Sequence, residues 1–241
     1  MKIKVLSWNI WCGTYLEEVI AFLKTADADI IALQETCEDE RGNLAELIAK
    51  ELGYNYADAI GMDIPLRFID PELNENDERT MKFGPSILSK HKISKSEVIK
   101  LTEDGKKLIV ESDIEIGDQT LHIFSIHLNH THQTHSELQD TQAENLVKLA
   151  SKDKTIVMGD FNALPDSSVI KITNQSLKDA EQGAPTPTWS VYKYGCQICL
   201  IDKAVHKLDY IFVSKDIDIK NFEVHESKGS DHLPISAIIE I

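Results

Sequence analysis

Basic side chains are scarce in this chain. Its 241 residues hold 25 Lys and Arg against 40 Asp and Glu, a formal net charge of −15. Sequence-independent nucleic-acid binding rests on Lys and Arg neutralising phosphates, and an acidic surface repels phosphates at long range. A scaffold that grips long stretches of duplex is therefore disfavoured. A compact site that touches one phosphate through a cation is not. Cysteine is scarce too: Cys12, Cys37, Cys196 and Cys199 do not make a dense disulfide framework. No apolar run approaches the ~18 residues of a membrane span. The opening MKIKVLSWNIW is interrupted by Ser7 and Asn9 and has neither a secretory apolar core nor a small-residue cleavage site. A cytoplasmic protein is expected. No internal repeat and no Gly/Ser- or Pro-rich linker divides the chain, so residues 1–241 read as a single domain. Such a length buries a large core without disulfides.

The apolar pattern alternates between strand and helix periods. A β-rich run at 3–10 precedes a helix expected at 14–25, where Leu16, Val19, Ile20 and Leu23 recur at helical spacing. A short apolar strand follows at 29–35, then a helix at 43–52 that Gly53 ends, then a strand candidate at 54–60. Residues 61–82 carry Asp63, Asp70, Glu72, Glu75, Asp77 and Glu78 with two prolines, and read as a polar loop, either functional or a solvated excursion. Strands are expected at 86–90 and 95–101. The runs 108–116 and 120–128 flank Gly117-Asp118 as a hairpin. Residues 135–151 suit a helix, with Thr134 and Glu137 resembling a capping box. Further strands are expected at 155–159, 208–214 and 234–241. Strands dominate and helices come at intervals, which implies two sheets packed face to face with helices outside.

Polar clusters recur where these strands end. They are Asn9 in SWNIW, Glu35 in ALQE, His127 and Asn129 in IHLN, Asp160 and Asn162 in GDFN, and Asp231-His232 in SDHLP; Asp209 opens the strand DYIFV. A carboxylate beside a buried strand is costly to desolvate unless it is paired, hydrogen-bonded or metal-bound. One such acid is readily a turn or a cap. A whole set placed alike points to one shared rim. The cysteines 196 and 199 form a C-x-x-C, which reads as half a zinc site, a redox pair or two reduced loop thiols. With no second C-x-x-C and no helix start behind it, the last reading is preferred.

The ordered strings SWNIW, LQE, GDFN, LDYIF and SDHLP resemble the signature set of the endonuclease/exonuclease/phosphatase family, in order and in spacing, from Asn9 to His232. The resemblance implies an α/β fold, a four-layer sandwich of two mainly antiparallel sheets flanked by helices. It implies Glu35 as the ligand of a catalytic divalent ion, with Asn9 and Asp231 beside it; such hard oxygen donors suit Mg²⁺ or Mn²⁺. It implies Asp160 as the group that orients and deprotonates the attacking water, Asn162 as its holder, His232 as a donor to a phosphate oxygen, and Asp209 as the partner of that imidazole. His127, near the phosphate or leaving group, and Asn129, on the substrate, complete the expectation.

Two departures bear on the substrate. Pro85 stands in FGPSILSK where the family often has Asn, and Trp11 stands where many nuclease members carry an acid. Trp11 either stacks on a base or ring of the substrate or packs. The histidines 130, 132 and 135 are read as loop and helix-start residues, with an extra metal as the alternative. The expected activity is metal-dependent hydrolysis of a phosphoester, foremost a phosphodiester in nucleic acid or a nucleotide-derived substrate. A phospholipid or inositol-phosphate hydrolase is the alternative. No obligate protein partner is evident, and a monomer is expected. A binding module on the same scaffold should have lost Glu35, Asp160 or His232, and none is lost. A thiol-based protein would depend on Cys196 and Cys199.

Overall fold

The computed structural model describes residues 1–68, 73–74, 76–103, 107–193, 195 and 201–241. Both cysteines of the C-x-x-C, and Asp70, Glu72 and Glu75 of the acidic segment, lie outside the described residues.

The first strand, β1 (Lys2–Asn9), leads through α1 (Leu16–Ala26) to β2 (Ile30–Asp39), which runs parallel to β1. A two-residue β3 (Gly42–Asn43) precedes α2 (Leu44–Leu52). The Asn43 side chain caps α2 by accepting from the Glu46 amide, and Gly53 closes it at φ 73. Then come β4 (Asn55–Asp58), β5 (Met62–Pro65), β6 (Thr80–Ser89), β7 (Ile93–Lys100), and the hairpin of β8 (Leu108–Ile116) and β9 (Gln119–His127). Next, α3 (Glu137–Leu149) crosses over to β10 (Thr155–Asp160), parallel to β9. The chain ends with α4 (Ser168–Ser176), β11 (Lys178–Asp179), β12 (Asp209–Val213), β13 (Asp218–Val224) and β14 (Ile235–Glu240).

One sheet runs β13-β14-β1-β2-β6-β4, with β3 on β2 and β5 on β6; the other runs β11-β12-β10-β9-β8-β7. Apart from the parallel pairs β1·β2 and β9·β10, the ladders are antiparallel. Alternate residues of each strand point inward. Val5, Ile30, Ile87, Ile123, Met158, Ile211 and Ile235 form the apolar layer between the sheets. The outward set of the first sheet, Leu6, Ile31 and Leu88, packs on Val19, Leu23 and Ile48 of α1 and α2. That of the second, Phe124, Val157 and Phe212, packs on Leu146 and Ile170 of α3 and α4. The result is the four-layer sandwich, helix–sheet–sheet–helix. Among the described residues no helix is long and apolar enough to cross a membrane.

Three local expectations are corrected. The polar stretch 61–82 is not all loop: Met62–Pro65 pair with Thr80–Phe83, because Met62 and Ile64 find apolar cover. The cap of α3 is Ser136, which accepts from the Gln139 amide; Thr134 instead exchanges hydrogen bonds with Thr131. The helix α4 and the strand β13 were not foreseen. In α4 a β-branched, Ser- and Asn-rich run with weak intrinsic helix preference is held by tertiary burial of Val169, Ile170 and Thr173.

Strand β2 carries a bulge opposite β6: Leu33 faces Ser86 and Thr36 faces Gly84, so Gln34 and Glu35 share one opposing residue. Gly84 is required there. A Cβ on it would lie 2.1 Å from the carbonyl oxygen of Ala59, a backbone atom that cannot swing aside. Gly84→Ala is expected to cost about 1–3 kcal/mol through overpacking, seen as a lower urea midpoint at unchanged m-value.

Candidate active site

The period of two decides which strand-end side chains meet. Inward positions on β1 run Val5, Ser7, Asn9; on β9, Ile123, Ser125, His127; on β10, Ile156, Met158, Asp160; and on β12, Val213, Ile211, Asp209. Parallel pairing puts the ends of β9 and β10 side by side, with Asp160 opposite His127. Antiparallel pairing brings the start of β12 to the same edge, with Asp209 opposite Asp160. Strict alternation would turn Glu35 outward, since Gln34 points inward. The bulge, with Glu35 at φ 54, re-aims its carboxylate to the rim. Beneath, Gln34 spans the sheets: Ser7 Oγ donates to its Oε1 at 3.4 Å and its Nε2 donates to Ser125 Oγ at 3.3 Å.

Asp160 is the centre of the cluster and is 1% exposed. Its Oδ1 accepts from the Asn162 backbone amide at 2.8 Å; its Oδ2 accepts from Asn162 Nδ2 and from Asn9 Nδ2, each at 3.2 Å. His232 Nε2 lies 3.7 Å and His127 Nε2 3.6 Å from the same Oδ2. Burial pushes the Asp160 carboxyl up to about 7; the His232 charge pulls against that and Asp209 adds to it. An isolated carboxylate is a weak base at about 3.9, so burial brings Asp160 close to the value a general base needs at neutral pH.

His232 is held on three sides. Its Nδ1 is 2.9 Å from Asp209 Oδ2, its amide donates to Ser230 Oγ, and its carbonyl accepts from Trp8 Nε1. Burial alone would lower its pKa, but Asp209, Asp160 and Asp231 outweigh that and hold the imidazole well above the ordinary histidine value. Thr188 Oγ1 donates to Asp209 Oδ2 at 2.6 Å and so fixes that carboxylate. His127 is the opposite case: burial, with Lys107, His232 and His130 nearby, pushes its pKa well down and keeps it neutral.

The expected metal end is Glu35, Asn9 and Asp231. Burial, reinforced by the Asp231 charge, raises the Glu35 carboxyl. Asp231 is raised chiefly by its own burial, and accepts from Trp189 Nε1 at 2.9 Å. Two neighbouring carboxylates that are both raised by burial are the environment a divalent cation relieves, and the all-oxygen set suits Mg²⁺ or Mn²⁺. Asn9 turns its Nδ2 toward Glu35, at 3.2 Å, and its Oδ1 accepts from the Trp11 amide at 3.1 Å. Ligation through that oxygen would need the amide to turn. Asp160, Asp209 and His232 also bring their ligand atoms within 4.8 Å of one another.

Other expected residues are placed as follows. Asn129 is engaged with α3: its Oδ1 accepts from Gln142 Nε2, its amide donates to Gln142 Oε1, and its carbonyl accepts from Gln139 Nε2. Its Oδ1 and its backbone thus brace the loop against α3. Trp11, half-buried at φ 47, lies 5.9 Å from the ring of Tyr192 and 6.3 Å from that of Tyr15; the two tyrosines stack at 5.1 Å. His130 Nδ1 sits 2.8 Å from Asn162 Oδ1 and braces it, whereas His135 turns away to Asp140.

Sequence reasoning missed Lys107, Thr188 and Trp189. Lys107 acts electrostatically on both Glu35 and Asp160, and its own burial lowers its pKa to about 8. One of two adjacent lysines just before β8, it gives no sequence signal; only the tertiary fold brings it to the acids. The string TPTW ahead of LDYIF was the available hint for the other two.

No curated protein matches the chain, but solved structures do. An endonuclease/exonuclease/phosphatase from Beutenbergia cavernae superposes at TM-score 0.78, 16% identity, over 100% of this chain and 72% of that one. A mannosyl-6-phosphatase from Bacteroides thetaiotaomicron superposes at 0.72, 15% identity, over 99% and 100%. The D. rerio TDP2 complexed with a single-strand DNA product superposes at 0.70, 16% identity, over 100% and 99%. The family model spans residues 6–232, from β1 to the His232 beside Asp160, and the chain therefore belongs to the Endonuclease/Exonuclease/phosphatase family, whose members are hydrolases acting on phosphoesters.

Proposed function

We propose that this chain, as a single catalytic domain, hydrolyses a phosphodiester in nucleic acid or a nucleotide-derived ester with Mg²⁺ or Mn²⁺. The observation that carries the reading is the buried Asp160 carboxylate, raised to about 7 and oriented by Asn9 and Asn162, with a protonated His232 beside it. Asp160 receives the proton of the attacking water, and Asn162, braced by His130, keeps its lone pair in line. His232, kept charged by Asp209, donates to a non-bridging phosphate oxygen as negative charge builds there. Neutral His127 and the Lys107 ammonium face the same space and serve the leaving group and the phosphate. Glu35, Asn9 and Asp231 would hold the cation, which supplies charge neutralisation and a more acidic water. The Trp11, Tyr15 and Tyr192 rings beside Asn9 offer a stacking surface for a base.

The test is a substrate panel: single-stranded DNA, RNA, abasic duplex, a nucleotide diester, a tyrosyl phosphodiester, inositol phosphates, a sugar phosphate and sphingomyelin. Hydrolysis of a nucleotide-bearing diester with Mg²⁺ or Mn²⁺ is expected, and none after chelation; full activity in excess chelator overturns the metal role. Asp160→Asn and His232→Ala should each lower turnover by about two orders of magnitude or more, with native far-UV circular dichroism.

In the metal-free protein the raised His232 pKa has a definite consequence for stability. Its contribution is present in full below the unfolded value of about 6.5 and is lost as pH rises through the higher folded value. Asp209→Asn should shift the imidazole midpoint downward by NMR titration; an unmoved midpoint would show that Asp209 does not hold the proton.

With 25 basic residues against 40 acidic ones, undamaged duplex should bind weakly to the Asp160→Asn variant. A salt slope worth about six phosphate contacts, roughly 0.9 each, would contradict this.

A further inference from the structure

A second group of ligand-type side chains lies on the other face of the second sheet. Glu111 and Asp113 are two residues apart on β8 and so share its outward face. His122 on β9 is the register partner of Asp113, and Thr155, the first residue of β10, is the register partner of His122. Asp113, His122 and Thr155 thus form a straight row across three adjacent strands, with Glu111 one step along. The Glu111, Asp113 and His122 ligand atoms all lie within 4.8 Å of one another. His122 Nδ1 is 2.6 Å from Asp113 Oδ1. The three side chains are 14–22% exposed, close enough to the surface to admit an ion and buried enough to hold it.

Two observations call for a cation here. Glu97 stands directly across from Glu111 on β7, and like charges in that position are destabilising. Lys152 reaches Glu111 at 3.1 Å from a side chain that is half in solvent, and Lys95 pairs with Glu97, so the contact that an ion at Glu111 would displace is a solvent-facing one. Independently, Thr155 is 0% exposed and its Oγ1, beside His122 on the same face, has no hydrogen-bond partner. A buried hydroxyl without a partner calls for a cause, and a bound water or ion is one.

We propose that Glu111, Asp113 and His122 bind a divalent cation of the Zn²⁺ type. One imidazole and two carboxylates form a mixed nitrogen–oxygen set that suits such borderline ions better than Mg²⁺. The neutral imidazole and both carboxylates turn to the ion, Lys152 yields its place, and a water in the fourth position gives Thr155 Oγ1 its partner. The site lies on the outward face, about five residues or ~17 Å along β10 from Asp160. It clasps β8 to β9 and is independent of the proposed hydrolysis.

The test is calorimetric titration of Zn²⁺ into the metal-stripped full chain, with Co²⁺ absorption as a second readout of nitrogen–oxygen coordination. Glu35→Gln should retain the site. His122→Ala should weaken it by about tenfold or more, abolish the Zn²⁺-dependent rise in Tm and leave basal hydrolysis unchanged. Asp113→Asn, which keeps the shape of the row, replaces His122→Ala if the latter does not fold. Zn²⁺ binding that is insensitive to both substitutions, that disappears with Glu35→Gln, or that occurs only at millimolar concentration overturns the proposal.

Discussion

The structure turns on one buried carboxylate. Asp160 sits where β9, β10 and β12 meet, between two sheets, and is desolvated almost completely. An ionised acid there is tolerable only if its neighbours donate to it. The Asn162 amide and the Asn9 and Asn162 side chains do so, and the His232 charge attracts it from 3.7 Å. The same burial that makes an ionised Asp160 costly also makes it more basic.

Two strand–helix–strand crossovers bring the groups together. β1–α1–β2 delivers Asn9 and Glu35, and β9–α3–β10 delivers His127 and Asp160, each pair at the carboxyl ends of parallel neighbours. Such ends are where open α/β sheets gather ligands. Antiparallel β12 and the segment before β14 then enter from the opposite direction with Asp209 and His232. The irregularity that matters at this rim is the bulge at Gln34-Glu35, between the Leu33–Ser86 and Thr36–Gly84 pairs. Without it the alternation of β2 would send the Glu35 carboxylate into the helical layer.

Charge is distributed with the same economy. Glu35, Asp160, Asp209 and Asp231 converge, and the cations that face them are His232 and Lys107. The surplus of negative charge makes a divalent ion a natural complement. It also repels a polyanion at long range. Thr188, Trp189, Trp8 and His130 each hold one polar atom of a residue in this cluster: Asp209, Asp231, His232 and Asn162 in turn.

Much of this was legible in the sequence because strand-end motifs are local. SWNI, LQE and GDFN each place a polar side chain at the end of a buried run; the period of two already gives the face of Asn9 and Asp160, whereas for Glu35 it gives the wrong face, which the bulge reverses. The apolar patterns of α1, α2 and the β8–β9 hairpin were likewise strong enough to read. The helix α4 was not, because Val169, Ile170 and Thr173 favour strand and only packing against the sheet makes them helical. Nor were β5, the engagement of Asn129 by Gln142, or the approach of Lys107 to the acids. Local sequence determined the chemistry that each strand end carries. Tertiary structure alone decided the distances between those ends, and with them the protonation of His232 and Asp160. A pKa in a buried site depends on neighbours that are 23 residues (His232 and Asp209) to 151 residues (Asn9 and Asp160) apart in sequence but a few ångströms apart in space, and no local pattern encodes that approach.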